Sequence, residues 1–213
     1  KLASKRTEKH DDIVRYEIMK RFGYYVTESS QHSAEYLPYF IKSNYPKLTE
    51  RFGIKTTMYK DWGRSQKEYW ANAKADFAEN EQLTHERTKE YASYIMESLI
   101  TGKLYKIAAN ILNQGYISNL PDQACVEVPC LVDGTGINPC FVGELPIQCA
   151  ALNTTNINVQ NLVIEAALTK KKEYLYYATL LDPHTSAELS IDDTIAMCDE
   201  LLEANKQWIF DMK

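Results

Sequence analysis

Helices packed on a small antiparallel sheet, an α+β fold, are what this sequence predicts, and three observations predict it. Apolar residues recur at helical spacing towards both ends, as in Val14, Ile18 and Phe22 or Ile195, Cys198 and Leu202. Residues 124–132 in the middle alternate, with Val126 and Val128 on one face and Cys125 and Glu127 on the other, the pattern of a half-buried strand. Turn-forming groups, Asn113-Gln114-Gly115 and Asp133-Gly134-Thr135-Gly136, flank the strand-like runs and fit an antiparallel connection.

Taken in order, residues 11–22 read as a helix. Asp11 and Asp12 at its start suit the helix dipole, and Gly23 is the expected C-cap. Tyr24-Tyr25-Val26-Thr27 is short and β-prone, and it runs into a polar turn, Glu28-Ser29-Ser30-Gln31-His32. Residues 36–63, rich in aromatics and turn formers, predict a loop-rich lid with short helices. Helices follow at 65–78 and at 84–99, the second ended by Thr101-Gly102. Residues 106–112 read as a strand, and Asn119-Leu120-Pro121 is a break. The last third is helical. Val159, Leu162, Val163, Ala166 and Ala167 mark one long helix, and residues 173–181 another, stopped by Asp182-Pro183. Ser190, with Asp193 three residues on, caps a final helix whose apolar stripe is Ile191, Ile195, Cys198 and Leu202. On the tyrosine-rich helix, Leu175 and Leu180 read as core.

Composition narrows the function classes. With 45% hydrophobic residues in 213, the chain can bury a core. A net charge of −5 opposes a nucleic-acid surface, which needs clustered cations to displace counterions. No run reaches the roughly 18 apolar residues that a membrane helix needs. Residues 1–10 are charged and polar, unlike a secretory leader. The five cysteines, Cys125, Cys130, Cys140, Cys149 and Cys198, are odd in number and lack a CxxC pair. They read as buried structural thiols in a reducing cytoplasm rather than as a disulfide frame or a zinc knuckle. The chain opens without Met inside a helix-like pattern, which reads as part of a longer protein.

No nucleophile elbow, HExxH, P-loop or GxGxxG is present, so no self-sufficient catalytic set stands out. Of the four histidines, His10 lies in the charged leader, His85 heads a helix, and His184 follows Pro183 and reads as a surface residue. His32 differs in its neighbours. Glu28, Ser29, Ser30, His32 and Glu35 crowd together, flanked by Tyr24, Tyr25, Tyr36 and Tyr39. Forked hydrogen bonds from such polar groups, with an aromatic face beneath a sugar ring, suit carbohydrate binding, although a Ser-rich turn after a strand is common in any fold.

The run Arg21-Phe22-Gly23-Tyr24-Tyr25-Val26-Thr27-Glu28-Ser29-Ser30, with His32 and Glu35-Tyr36, resembles a segment of the α-galactosidases of glycoside hydrolase family 4. Asn113-x-Gly115-x-Ile117-x-Asn119-Leu120-Pro121, followed by Val126-Glu127-Val128-Pro129, resembles that family's C-terminal signature. The likeness continues through Val132-Asp133, Gly136-Ile137, Pro139, Leu145-Pro146, Ala166-Ala167-Leu168 and Leu181-Asp182-Pro183. It implies that residues 1–213 form the family's C-terminal domain, with a layout shared with lactate and malate dehydrogenases, and that an N-terminal Rossmann domain binding NAD precedes it. It also implies Mn2+, held by a Cys and a His of that N-terminal half, so that this part alone has no metal ligands, holds no cofactor tightly and is inactive. The implied reaction hydrolyses α-galactosides such as melibiose: transient oxidation at C3 acidifies the C2 proton, a base removes it, the glycosidic oxygen leaves, water adds and the hydride returns. A homo-oligomer is implied as well.

For the site, the resemblance implies Ser29, Ser30 and His32 as sugar-binding residues. Related α-glucosidases carry an Asp base and, three residues later, an Arg near the positions of Ser29 and His32. A serine cannot replace that base unaided, so Glu28, Tyr25 or Tyr24 is the candidate. Two other readings stay open: an assembly module using Tyr174, Tyr176 and Tyr177, and an α-glucosidase or α-galacturonidase of the same family.

Overall fold

The computed structural model describes residues 10–79, 86–209 and 211–213. Among them are nine helices: α1 (Ile13–Phe22), α2 (Ser30–Tyr36), α3 (Lys47–Arg51), α4 (Met58–Glu79), α5 (Tyr91–Thr101), α6 (Ile147–Thr169), α7 (Glu173–Leu181), α8 (Pro183–Glu188) and α9 (Ile191–Asn205). Three strands, β1 (Tyr105–Leu112), β2 (Cys125–Asp133) and β3 (Gly136–Pro139), form an antiparallel sheet in the order β1-β2-β3. The α+β expectation holds. The chain divides into two compact units: one of Lys1–Ile54, Asn110–Glu127 and Phe141–Lys213, the other of Lys55–Ala109 and Val128–Cys140.

In the first unit the core gathers around α1. Val14 and Ile18 are buried, one turn apart on a single face, and pack with Ala34, Leu37, Phe40, Phe52 and Ile54. Val26 and, from α6, Leu152 lie against this cluster. Each fully buried aliphatic side chain here contributes about 2 kcal/mol by leaving water. Residues 36–54 are therefore a wrap around the core rather than the expected lid, because four of their apolar side chains are needed to cover α1. Gly23 ends α1 with φ 87°, a left-handed turn that suits a residue without a Cβ.

The segment after Gly23 departs from expectation. Residues 24–27 form no strand, and the supposed turn at 28–32 is the start of α2. Ser29 is its N-cap: the Oγ accepts the His32 backbone N–H at 3.2 Å, satisfying one of the donors a helix start leaves open. Across the unit, Glu188 at the end of α8 accepts the Ser43 backbone N–H at 2.8 Å and pairs with Lys42 at 3.0 Å, which holds its carboxyl down to about 2.

The signature loop at 113–121 is tied internally. Asn113 is fully buried; its Nδ2 donates to the carbonyls of Ile117, Leu120 and Pro121, and its Oδ1 accepts the Ile117 N–H at 2.8 Å. Asn119 pairs reciprocally with the backbone of Leu145, at 2.7 and 2.9 Å. Gln114 and Gly115 both take positive φ, 44° and 85°, to make the turn.

Helices α7 and α9 run as expected, and Ser190 caps α9 by accepting the Asp193 N–H at 3.1 Å. Tyr176 Oη donates to Asp199 Oδ1 at 2.6 Å and so ties α7 to α9. Of the expected α9 stripe, Cys198 is buried and Ile195 and Leu202 are half-buried, whereas Ile191 is 68% exposed and Thr194 is buried beside them. His184 is not a surface residue: it is half-buried, and its Nδ1 is buried with no hydrogen-bond partner among the described residues.

In the second unit β2 shows the predicted alternation, with Val128, Cys130 and Val132 buried and Pro129 and Leu131 turned out. The β2–β3 register pairs Cys130 with Pro139 and Val132 with Ile137. The helix expected over 84–99 begins at Tyr91 and ends at Thr101; residues 86–90 are not helical, and Thr84 and His85 lie outside the described residues. Helix α4 is longer at both ends than the expected 65–78. Cys130 and Cys198 are buried as expected of structural thiols, Cys140 and Cys149 are half-buried, and Cys125 is exposed on the outer face of β2. Burial pushes the Cys130 and Cys149 thiols up, away from the reactive thiolate.

Candidate functional site

The residues singled out in the sequence meet at the start of α2, within the first unit. Gly23 turns the chain back from α1, Val26 dips into the core, and Ser29 starts the new helix. Tyr24 and Tyr25 on one side and Glu28 on the other remain exposed to solvent, at 53%, 42% and about half of the side chain respectively.

The sharpest contact is between Glu28 and His32. Glu28 Oε1 lies 3.0 Å from His32 Nδ1 and accepts the Ser29 backbone N–H at 2.6 Å. These bonds hold the Glu28 carboxyl below the usual glutamate range, the Ser29 N–H first, partial burial opposing, and His32 next. The contact with the Glu28 carboxylate orients the His32 ring at the start of α2. Tyr36 lies beside the ring, 6.3 Å between centroids, and Glu35 accepts from Gln31 Nε2 at 2.8 Å.

The two serines already have structural partners. The Ser29 oxygen caps α2, and the Ser30 oxygen accepts the Arg15 backbone N–H at 3.4 Å. The Ser29 hydroxyl also bonds to the Glu28 carboxylate, whereas the Ser30 hydroxyl keeps its own proton to donate. Of the base candidates, Tyr25 has its phenol pushed above its ordinary value by burial, only partly offset by Arg15, so it is protonated near neutral pH. Glu28 is ionised there.

Sequence reasoning did not single out Arg15. Its Nε and Nη2 donate to the Val26 carbonyl at 3.0 and 2.8 Å, and Nη2 reaches the Thr27 carbonyl at 3.4 Å. Nη1 donates to Asp12 at 2.9 Å, and Cζ sits 4.2 Å from the centre of the Tyr25 ring. Nothing in the local pattern separates this arginine from Arg21, which pairs with Glu17 in the ordinary i,i+4 way.

A metal would need three or more His, Cys, Asp or Glu side chains brought together, and no such group occurs among the described residues. The donors present therefore do not fit the implied Mn2+. No described helix is long and apolar enough to cross a membrane.

Comparison with known proteins gives a consistent set of likenesses. The model of the family 4 glycosyl hydrolase C-terminal domain matches residues 1–185. An α-galactosidase of Bacillus subtilis (strain 168) is 53% identical over 209 residues, which cover 98% of this chain and 48% of that protein. An α-galactosidase of Rhizobium meliloti (strain 1021) is 33% identical over 204 residues, covering 92% and 42%. A 6-phospho-α-glucosidase from gut microorganisms, solved in complex with NAD and Mn2+, shares the fold at a TM-score of 0.69 and 18% identity, over 94% of this chain and 44% of that one. The chain spans about half the length of the curated relatives it matches.

Proposed function

This chain belongs to the family 4 glycosyl hydrolases, as their C-terminal domain, and from that premise we propose that it forms the substrate-pocket part of an α-galactosidase that uses NAD and Mn2+. The 53% identity to an α-galactosidase across nearly the whole chain supports the sugar. The NAD and Mn2+ of the gut 6-phospho-α-glucosidase support the cofactors. Since the donors here do not fit the metal, its ligands are assigned to the N-terminal Rossmann domain of the complete enzyme.

The observation that carries the reading is the hydrogen-bonded Glu28–His32 pair at the solvent-facing start of α2. In the proposed role, segment 24–32 is one wall of the galactoside pocket. His32 and the hydroxyls of Ser29 and Ser30 hydrogen-bond to sugar hydroxyls, while Tyr24 and Tyr25 offer ring faces to the apolar side of the sugar. Glu28 fixes the His32 ring and is the carboxylate available as a base. A protonated Tyr25 takes that role only where a neighbouring positive charge in the complete enzyme lowers its phenol.

The test is His32→Ala in the complete enzyme, assayed on melibiose with NAD and Mn2+ supplied. Turnover is expected to drop well over tenfold, and near-normal activity sinks the reading. Parallel assays on an α-glucoside and an α-galacturonide test the sugar: faster hydrolysis of either than of melibiose would reassign the specificity within the family.

A further inference from the structure

We infer that the Arg15 side chain positions the sugar-facing segment, acting from α1 through the Val26 and Thr27 carbonyls and the Tyr25 ring. The inference rests on reading segment 24–32 as a pocket wall.

The chain between Gly23 and Ser29 belongs to no helix and no sheet, so its carbonyls lack regular partners. Half-buried carbonyls of that kind need donors from elsewhere. Arg15 supplies them: two nitrogens on the Val26 oxygen and a longer contact to that of Thr27. A guanidinium can do this because its donors form a rigid planar fork, whereas a lysine ammonium is a single point on a flexible stem. The fork is itself held, since Asp12 accepts from Nη1 at 2.9 Å and the Arg15 side chain is only 20% exposed. Its face meets the Tyr25 ring at 4.2 Å, which fixes one of the two exposed tyrosines. The backbone N–H at this position, which any residue but proline supplies, also reaches Ser30 Oγ at the start of α2.

One residue of α1 thus reaches the segment on both sides of Glu28 and Ser29. Val14 and Ile18, on the same helix, are locked in the core, so the grip starts from a rigid base. Orientation matters at this scale: a displacement of about 1 Å in a reacting group costs up to about a hundredfold in rate. Asp12 and Arg15 make no contribution of their own to the sugar in this account. They set where Tyr25 and, through the Val26 and Thr27 carbonyls, the Glu28–His32 pair stand.

The experiment uses the complete enzyme with NAD and Mn2+ and melibiose as substrate, comparing Arg15→Lys, Arg15→Gln, His32→Ala and the double variant Arg15→Gln/His32→Ala. Arg15→Gln is expected to lose about a hundredfold in kcat/KM and Arg15→Lys about tenfold. If Arg15 acts through the segment, the double variant should lie within threefold of the worse single variant; independent, multiplicative losses overturn the inference. A purely structural role moves thermal unfolding but gives no such non-additivity. If His32→Ala is impaired while both Arg15 variants stay within threefold of wild type, the inference about Arg15 fails alone. If His32→Ala is itself near normal, the pocket-wall reading fails first. Should Arg15→Gln not fold, Arg15→Lys decides the matter, and failure of both to fold makes Arg15 a folding determinant and overturns the proposal.

Discussion

Two loops of this molecule use polar side chains at high density, and they use them in opposite ways. In the signature loop, Asn113 is fully buried and spends its amide on the loop's own backbone, with four contacts between 2.8 and 3.1 Å. At the start of α2 the polar groups are also tied to one another, yet Glu28 and both tyrosines stay open to solvent. The first arrangement closes on itself and serves folding. The second is a braced but accessible surface, which is what a binding wall requires. A family signature therefore need not mark the chemistry: Asn113 and Asn119 explain their positions by the backbone they staple.

The largest expected effect breaks the first loop. Asn113→Ala leaves the buried Ile117 N–H and three carbonyls without their partner, and should cost about 3 kcal/mol or more in a urea unfolding experiment. Activity per folded molecule should be unchanged. The reverse is expected at the second loop. His32→Ala should lower turnover by well over tenfold with a stability change under about 0.5 kcal/mol, because its ring is partly exposed and leaves no cavity. Ser29→Ala sits between the two, removing the N-cap of α2 for about 1 kcal/mol of stability, whereas Ser29→Asp, which restores a capping oxygen, should recover most of it.

The smallest effect is a pH dependence. The Glu28 carboxyl is held low in the folded state, so its ionised form favours folding above the ordinary glutamate range, and that contribution is lost as the pH falls through the folded value. Glu28→Gln should therefore flatten the acid side of the stability profile between those two values, lying slightly below the parent at neutral pH and converging with it at acid pH. Thermal melts of both proteins from neutral pH downwards would show it, and parallel profiles would contradict it.

Much of the fold could be read from the sequence because its signals were local. The alternation of β2, the 173–181 helix and the Ser190–Asp193 cap each lie within a few residues, and each is found where expected. Helix α2 was not legible. Its seven residues, Ser30-Gln-His-Ser-Ala-Glu-Tyr, carry no apolar stripe, and it is stable because Ala34 and Ser33 bury themselves in the unit. The β-prone run at 24–27 failed as a strand for the converse reason: its carbonyls are satisfied by Arg15 rather than by a neighbouring strand. At the candidate site, residue types and clustering pointed to Glu28, Ser29, Ser30 and His32 as the residues to weigh. Which of them were already engaged, and the arginine that braces them, depended on contacts between α1 and the loop that no spacing encodes.

Hydrogen–deuterium exchange on the complete enzyme, with NAD and Mn2+ and with or without galactose, tests the contrast between the two loops most directly. The sugar is expected to slow exchange in peptides covering residues 24–32 and to leave residues 113–121, already protected by Asn113, unchanged. Unaltered exchange at 24–32 at a saturating sugar concentration, or protection confined to 113–121, would contradict it.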